Sequence, residues 1–449
     1  MSKPFLRVCS ADAARDILQT FQPLGSEEVS LDDSLFRVTS EPVQAPADLP
    51  PFDRSTMDGF AVRAADTFGS SEGSPSLFRV VGEVPMGKVP GIRLGRGETV
   101  RIWTGGALPE GADAVVMVEH TQELDQQTVE IMQAVAPFDH VVRRGEDFTR
   151  GETLIPPGQR LRPQDMGLLA AMGMARIEVF RRPRVAVISS GDEIVPMEQE
   201  PPPGCMKDVN RHTISAAVTA AHATPIWIGI AADRLDVISQ AIEKGLQVAD
   251  IVVISGGSSM GSRDLVIEAI TSHLHGRILI HGVSVSPGKP LIVAQVGSCP
   301  VIGLPGHPVS ALVCFDQFVV PLLRRLEGEG SVGPYLKSTL QATLGRNVPS
   351  REGRTDFVRV RIAEQSGKTV AMHVPGKSGM ISGMVRAHGY IQIPADCEGL
   401  YKGDPVTVHL FSNWLGEELE TKHLSRHETA PGGTEPLPQP SRQEKLSGL

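Results

Sequence analysis

Short runs of β-branched residues alternate with segments of helical periodicity between residues 182 and 326. The β-like runs are 184–189, 225–230, 250–255, 278–285 and 300–304. Apolar residues recur at helical spacing in 210–221, 235–246, 265–274 and 309–326. Strands that alternate with helices form βαβ units, and almost continuously apolar strands are typical of a parallel sheet buried on both faces. This pattern predicts a central, doubly wound α/β domain, with each of the first four runs as a strand of its parallel sheet.

The segments on either side of this region have a different pattern. Residues 36–145 and 335–411 contain short β-like runs separated by Gly and Pro, which predicts two all-β modules. Short helices are predicted at 10–21 and 165–173. The residues from Ser412 to the end are polar and rich in Pro, Gly, Glu and Lys, so they are predicted to form a disordered tail.

Composition excludes several classes of protein. The formal net charge is −9, whereas proteins that bind nucleic acid usually have a basic surface. We therefore expect no nucleic-acid partner. No apolar stretch is long enough to span a bilayer, and the N-terminus lacks the apolar core of a signal peptide. The five cysteines are scattered singly, which is typical of a reducing compartment. We therefore expect a cytoplasmic protein without a membrane partner.

Acidic residues follow three of the predicted strands where each strand ends. Glu193 follows the run 184–189, and Asp233 and Asp264 come after the next two runs. Ligands of open α/β sheets bind beyond the carboxyl ends of the strands, and Mg²⁺ prefers carboxylates together with water and phosphate oxygens. We expect these three side chains to be metal ligands. Taken singly, Asp233 and Asp264 also fit helix caps, and a capping residue can still bind a metal.

Small and helix-start residues near the same edge are candidate ligands for an anion. The loop that begins at Gly256 either cradles a phosphate or is only a strand-to-helix turn. Lys289, between prolines, is either an anion clamp or a surface lysine. His307, at a predicted helix start, suits positioning or capping better than acid–base chemistry. The binding candidates are Ser190, Gly256, Gly257, Ser258, Ser259, Pro305, Gly306, His307, Pro308 and Ser310.

Three polar loops of the first all-β module are further candidates. They carry Asp58, Thr104 and Asp147. By itself, Asp58 followed by Gly59 is an ordinary turn dipeptide, and the charged loop before Asp147 is an ordinary solvated turn. Periodicity alone does not decide between these interpretations.

The order of these loops resembles the molybdopterin molybdenumtransferase family, which includes the E domain of gephyrin. The resemblance extends from about residue 10 to residue 411. It rests on PPFDRSTMDGFAV, TGGALPEGADAVV, RRGEDF, RPRVAVISSGDEIV, DIVVISGGSSMG, PGKP and GLPGHPVSA, followed by GRTDFVRV, SGMIS and AHGYIQIP. Each of these motifs alone is weakly specific. The first seven motifs in the same order are highly specific, and the three C-terminal motifs follow them.

The resemblance implies an elongated homodimer with its active site in a cleft at the dimer interface. Each subunit would contain a β-rich domain (36–145), a linking domain (8–35 and 146–181), a molybdopterin-binding α/β domain (182–330) and a C-terminal β-barrel domain (335–411), followed by the tail 412–449. The implied reaction takes adenylylated molybdopterin and molybdate, uses Mg²⁺, releases AMP and places molybdenum on the dithiolene. Molybdopterin adenylyltransferase and the proteins that mature molybdoenzymes downstream are the implied partners.

The resemblance also assigns roles to individual residues. Glu193, Asp233 and Asp264 match the carboxylates that hold the metal and substrate. Asp58, Thr104 and Asp147 match cleft residues, and the loop of Asp58 would reach the partner subunit. The residues that match contacts to the phosphorylated ligand or the oxyanion are Lys289, Pro305, Pro308, Arg359 and Ser378.

The chain departs from the family pattern at several positions. The family usually has Lys at Ser286, Asn at His307 and Asp at Arg234. The loss of a cation at Ser286 weakens anion binding by about 1–3 kcal/mol unless a neighbouring arginine replaces it. The alternative function is therefore a non-catalytic paralogue that binds molybdopterin or the cofactor as a carrier or regulator. A different phosphohydrolase on the same fold is a third possibility.

Overall fold

Most of the α-helical residues in the computed structural model lie between residues 163 and 326. The structure describes residues 8–256, 260–329 and 338–411, so the predicted phosphate-loop residues Gly257, Ser258 and Ser259 and the predicted tail lie outside the described residues. The helices are α1 (Ala11–Leu18), α2 (Pro163–Ala171), α3 (Asn210–Ala220), α4 (Leu235–Val248), α5 (Met260–Glu268), α6 (Pro308–Cys314), α7 (Val320–Leu326) and α8 (Ser382–Val385). Within these ranges, no helix is long and apolar enough to cross a membrane.

The chain divides into two compact units. The first contains the described residues up to 329 together with Gly353–Thr355 and Lys377–Ile381. The second contains the remaining C-terminal residues. Of the predicted ligand residues, Ser378 belongs to the first unit and Arg359 to the second.

The N-terminal part of the first unit is rich in antiparallel strands, as the short β-like runs predict. The strands are β1 (Ser26–Ser30), β2 (Gly59–Val62), β3 (Ser76–Glu83), β4 (Glu98–Ile102), β5 (Ala114–Met117), β6 (Thr121–Asp125), β7 (Thr128–Ile131), β8 (Thr153–Ile155) and β9 (Arg176–Phe180). Six of them form one sheet in the order β5-β2-β4-β3-β7-β6. β1 pairs with β9 outside that sheet, with Ser26 opposite Phe180.

The central sheet has six strands and lies in the first unit. Its strands are β10 (Arg184–Ser190), β11 (Thr224–Ala231), β12 (Ile251–Gly256), β13 (Arg277–His281), β14 (Ile292–Val296) and β15 (Cys299–Leu304). Their order is β11-β10-β12-β15-β14-β13, and the first four are mutually parallel. Val185 to Ile188 are all fully buried, because helices cover both faces of a doubly wound sheet. Ile238 and Ile242 of α4 pack into the same core.

The predicted parallel strand at 278–285 is wrong in two respects. β13 ends at His281, and it is an edge strand antiparallel to β14. β14, which was not among the predicted strands, forms a hairpin with β15 and lies between β15 and β13. A run of apolar residues does not reveal strand direction, because the hydrogen-bonding partner alone decides whether a pair is parallel or antiparallel.

The helix predicted at 309–326 is interrupted. α6 and α7 are separated by a π-helical turn at Phe315–Val319. Pro321 has no N–H to donate to the carbonyl four residues earlier, so the regular α-helical ladder cannot continue through this point. A second π-turn, Ala269–His273, follows α5.

The second unit contains a closed five-stranded barrel. Its strands are β16 (Thr339–Leu344), β17 (Thr355–Gln365), β18 (Lys368–His373), β19 (Gly389–Ile393) and β20 (Pro405–Leu410). The order is β17-β18-β16-β20-β19, and β19 pairs back onto β17 to close the ring. Inward residues including Val360, Ala371 and Val408 are fully buried, which agrees with the all-β pattern of the sequence.

Candidate functional site

The carboxyl ends of the four parallel strands are aligned at one edge of the central sheet. Ser190 at the end of β10 is opposite Ala231 of β11 on one side and Gly256 of β12 on the other. Ser255 is opposite Leu304 of β15. The loops that follow these strands therefore begin at a common edge, as the sequence predicts, and open α/β sheets bind their ligands there.

β10 and β12 approach each other very closely at this edge. A Cβ atom placed on Gly256 would lie 2.2 Å from both the carbonyl oxygen and the hydroxyl of Ser190, so only glycine is compatible with this arrangement. Ser190 is buried, and its hydroxyl has no hydrogen-bond partner among the described residues. A buried hydroxyl without a partner at a strand end is available to a ligand.

A group of carboxylates surrounds the loop after β11. The carboxylate of Asp192 accepts a 3.0 Å hydrogen bond from the backbone N–H of Asp233. Asp233 Oδ1 is itself buried without a described partner. Burial, followed by the negative charges of Asp192 and Glu193, raises the pKa of Asp233 above its ordinary value. Asp192 stands directly before the predicted Glu193, and the sequence analysis did not select it.

These carboxylates suit a divalent cation that brings most of its own ligands. Within the described ranges, no three His, Cys, Asp or Glu side chains are grouped closely enough to hold a metal by themselves. Mg²⁺ commonly uses only one or two carboxylates together with water and substrate phosphates. The unpartnered oxygen of Asp233 and the crowding of negative charge around it fit such an ion. Asp264 is exposed on α5, and its role as a metal ligand remains a prediction.

The loop between β15 and α6 lies at the same edge. The carbonyl of Gly306 accepts a 2.8 Å hydrogen bond from Asn210 Nδ2 at the start of α3. His307 occupies the N-cap position of α6, but its side chain makes no capping hydrogen bond. Its Nδ1 lies 3.1 Å from the hydroxyl of Ser378, whose carbonyl accepts a hydrogen bond from Val309 N–H. The predicted capping by the His307 side chain is not formed, and its positioning role stays a prediction.

The predicted lysine loop is attached to α6. Gly288 has a φ of +124°, and its carbonyl accepts a 3.3 Å hydrogen bond from the thiol of Cys314 in α6. The carbonyl of Lys289 accepts a 2.9 Å hydrogen bond from Val283 N–H, which leaves the lysine side chain exposed. The loops of Lys289 and His307 thus contact opposite ends of one short helix, within which Ser310 is buried.

Two predicted residues of the N-terminal part are in direct contact. Asp58 Oδ1 accepts hydrogen bonds from the backbone N–H and the hydroxyl of Thr104, each 2.7 Å long. The backbone hydrogen bond, followed by the hydroxyl, lowers the pKa of Asp58. The Asp58 side chain is therefore an oriented, ionised carboxylate on the protein surface.

The loop of Asp147 is held by a network that the sequence analysis missed. Arg144 donates through Nε to Asp48, and its backbone N–H donates to Asp53, both at 2.7 Å. Arg150 N–H also donates to Asp48, and this backbone bond, followed by the Arg144 side chain, lowers the pKa of Asp48. Asp48 stands in a proline-rich stretch without a recognisable motif, so no local signal identifies it.

Arg359 in the second unit is a buried cation. Its Nη2 donates to the carbonyl of Gly376 at 2.5 Å, and its Nη1 has no partner among the described residues. Burial lowers the pKa of Arg359. A Cβ on Gly383 would lie 2.5 Å from Nη1, so this glycine provides the space that the guanidinium occupies. A buried guanidinium with a free donor suits an anionic ligand.

Known protein families match most of this chain. Residues 9–173 match the pattern of the MoeA N-terminal region (domain I and II), 186–325 match a probable molybdopterin binding domain, and 341–411 match the MoeA C-terminal region (domain IV). A molybdopterin molybdenumtransferase of Bacillus subtilis (strain 168) is 34% identical over 414 residues, which cover 90% of this chain and 95% of that protein. The chain belongs to the MoeA family.

Other MoeA-family proteins support the assignment. A putative molybdopterin biosynthesis protein of Methanocaldococcus jannaschii is 32% identical over 392 residues, covering 86% of this chain and 92% of that protein. The crystal structure of a molybdopterin biosynthesis MoeA protein from Pyrococcus horikoshii superposes with a TM-score of 0.76 and 38% identity, over 91% of this chain and all of that one. The resemblance recognised from the motifs is thereby confirmed, and so is the multidomain MoeA-like fold.

Proposed function

We propose that this chain is a magnesium-dependent molybdopterin molybdenumtransferase that acts on adenylylated molybdopterin and molybdate and releases AMP. The observation that carries the proposal is the concentration of negative charge around Asp233 at the carboxyl edge of the parallel strands. Carboxylates with an unfilled oxygen suit a cation that also binds phosphates. MoeA-family relatives bearing the name molybdopterin molybdenumtransferase match almost the whole chain.

The acidic and basic residues have different proposed roles. Glu193 and Asp233, beside the negative charge of Asp192, would hold magnesium together with water and phosphate oxygens. The ion would neutralise the pyrophosphate and favour cleavage of its anhydride bond. The partly exposed loop from Pro305 to Pro308, with Lys289 on the far side of α6, would bind the phosphorylated end of the ligand. Arg359 would bind an oxyanion such as molybdate through its free Nη1. Asp264 and Asp147 complete the proposed catalytic set.

The proposal includes a homodimer located in the cytoplasm. The oriented carboxylate of Asp58 is exposed on its own subunit, which suits a residue that completes a cleft in the partner subunit. All five cysteines are free, which fits a reducing compartment. Molybdopterin adenylyltransferase would supply the substrate, and proteins that mature molybdoenzymes would take the product.

AMP release tests the proposal directly. Purified protein is incubated with adenylylated molybdopterin, molybdate and Mg²⁺, and AMP is measured over time. We expect release to require both Mg²⁺ and molybdate, and to be lost in Glu193→Gln. Glu198→Gln, an exposed carboxylate a few residues further on, is the matched control and should retain activity.

The departure at Ser286 makes a carrier the second candidate. Ser286 occupies the position of a family lysine in the loop held by Cys314. Binding of adenylylated molybdopterin without AMP release would overturn the transferase proposal and favour the carrier. Complementation of a strain that lacks molybdenum insertion, with Ser286→Lys tested beside the parent, separates the two. Rescue by the parent supports the enzyme, and rescue by Ser286→Lys alone identifies the serine as an inactivating change.

A further inference from the structure

The turn before α3 contains two buried side chains that the proposed chemistry does not use. Asp208 is 4% exposed and Asn210 is 8% exposed. Neither is a candidate for the metal, phosphate or oxyanion sites. Buried polar side-chain atoms normally have at least one hydrogen-bond partner.

Both side chains are fixed in place by one hydrogen bond each. Asp208 Oδ1 accepts a 3.0 Å hydrogen bond from Arg211 N–H in the first turn of α3. Asn210 Nδ2 donates 2.8 Å to the carbonyl of Gly306. The segment is also tied to the loop of Glu193, because Met206 N–H donates to the Glu193 carbonyl. It therefore bridges the loop after β10 and the loop after β15, at the edge where the ligand is proposed to bind.

Each side chain retains one unfilled acceptor. Asp208 Oδ2 and Asn210 Oδ1 are buried and have no partner within the described parts of the chain. Both are acceptors, so they are suited to a group that donates N–H or O–H and are unsuited to phosphate or molybdate oxygens. The two residues are two positions apart in the chain, and a ligand edge with two neighbouring donors would supply one hydrogen to each oxygen.

We propose that Asp208 and Asn210 form a subsite for the amino-pyrimidinone edge of a pterin, which carries a 2-amino group next to N3–H. This inference rests on the proposed function, because it takes the ligand to be a phosphorylated pterin. The subsite recognises the pterin ring, whereas the carboxylates around Asp233 and the loop at Gly306 serve the phosphorylated end. One donor would bond to the free carboxylate oxygen of Asp208 and the other to the amide oxygen of Asn210, and the charged acceptor would form the stronger of the two hydrogen bonds.

The test compares pterin with lumazine, in which an oxygen replaces the 2-amino group. Binding of each compound to the full-length protein is measured by fluorescence titration. We expect pterin to bind at least about tenfold more tightly than lumazine, because the lumazine oxygen would face an acceptor. Asp208→Asn should abolish this preference, since an amide can present either a donor or an acceptor. The side-chain oxygen of asparagine can still accept the hydrogen bond from Arg211 N–H, so the variant is expected to fold.

Asp165→Asn is the matched control. Asp165 is also a buried carboxylate at a helix start, where it accepts from Arg162 N–H, but it belongs to α2. This variant should keep the preference of the parent for pterin. The subsite is overturned if the parent binds pterin and lumazine equally, or if Asp208→Asn keeps the preference for pterin. Ordered water would then be the partner of Asp208 Oδ2 and Asn210 Oδ1. Absence of binding by both compounds also overturns the subsite.

The AMP assay separates failure of the subsite from failure of the proposed function. AMP release by a protein that does not discriminate pterin from lumazine preserves the transferase proposal and removes the subsite. Discrimination that is lost in Asp208→Asn, without AMP release, preserves the subsite and favours a pterin carrier.

Discussion

Asp58 and Thr104, 46 residues apart in the sequence, are joined by two 2.7 Å hydrogen bonds to a single carboxylate oxygen. Both residues are exposed and lie next to strands of the same six-stranded mixed sheet. The second oxygen of Asp58 is not used by these bonds and remains available. The arrangement fixes the direction of a surface carboxylate that would otherwise rotate freely.

Thr104→Val should reduce the rate of AMP release several-fold with little change in thermal stability. The substitution removes the hydroxyl donor but keeps the backbone donor, so the carboxylate loses part of its orientation. The pKa of Asp58 rises towards the ordinary value of 3.8 but remains far below neutrality. The reduction in the rate of AMP release should therefore be the same from about pH 6 to pH 9. Thr104→Ser retains the hydroxyl and should retain activity; a loss equal to that of valine contradicts this role.

Asp233→Asn should stabilise the metal-free protein at neutral pH. Because burial and neighbouring carboxylates raise the folded-state pKa of Asp233, the folded state favours the protonated form, and stability falls as pH rises from about 3.8 through the folded pKa. Asn removes this penalty. The side chain is partly exposed and the repulsion is screened, so we expect a Tm increase of about 1–2 °C at pH 7 and none at pH 3.

Mg²⁺ provides a second readout for the same variant. Added Mg²⁺ should raise the Tm of the parent more than that of Asp233→Asn, because the ion relieves the same repulsion. Asp236→Asn, an exposed carboxylate on α4 paired with Arg234, is the control and should respond to Mg²⁺ as the parent does. An identical response in the parent and Asp233→Asn would exclude Asp233 from the metal site.

Gly288→Ala should destabilise the protein by about 1–3 kcal/mol. A Cβ there would lie 2.4 Å from Cys314 Sγ, and φ is +124°. The free energy of unfolding in urea measures the loss. In Cys314→Ala the sulfur is absent, so adding Gly288→Ala should then be less destabilising by about 1 kcal/mol. Gly69→Ala is the control for backbone strain alone, because Gly69 has a φ of +92° and an added Cβ would have no atom within 4 Å. Additive effects at 288 and 314 would contradict the proposed steric contact.

Arg160→Met should destabilise the protein by about 3–5 kcal/mol at neutral pH. Arg160 Nη2 donates to the buried carboxylate of Glu327 and, at 2.7 Å, to Glu329. Burial raises the pKa of Glu327 more than Arg160 lowers it. Protonation of Glu327 therefore favours folding, and stability declines as pH rises from about 4.5 through the folded pKa. In Arg160→Met, stability should decline more strongly as pH rises. The difference in the free energy of unfolding between the parent and Arg160→Met should nearly vanish at pH 4.

An exposed pair provides the control for the Arg160 experiment. Arg176 donates 2.6 Å to Glu28, and both side chains are more than half exposed. Arg176→Met should change the free energy of unfolding by less than about 0.5 kcal/mol at any pH. Urea unfolding of both variants at pH 4 and pH 7 completes the comparison. Similar losses for the two substitutions would show that burial is not the reason for the effect at Arg160.

The sequence predicted most elements of the central sheet but not its antiparallel edge. Val185 to Ile188 are recognisable because a strand buried on both faces is apolar at every position. Ile292–Val296 is also mostly apolar, yet it is antiparallel to its neighbour. The composition of a strand reports its burial, whereas its direction depends on the path of the chain.

Contacts between distant segments explain the site residues that were missed. Asn210 is one polar residue at a helix start, and its importance appears only when its amide meets Gly306, 96 residues later. Asp192 lies beside a predicted ligand, but its effect on the pKa of Asp233 depends on two strands ending side by side. His307 and Ser378, 71 residues apart in the sequence, likewise meet only in the folded chain.

The sequence by itself determined the family, the alternation of strands and helices and the loops that carry the chemistry, because burial patterns and motifs are local. Tertiary structure alone decided the strand directions, the pairing of Asp58 with Thr104 and the crowding of carboxylates around Asp233. Those features depend on which distant atoms come within a few ångströms of one another, and hydrogen bonding and charge interaction act only over such distances.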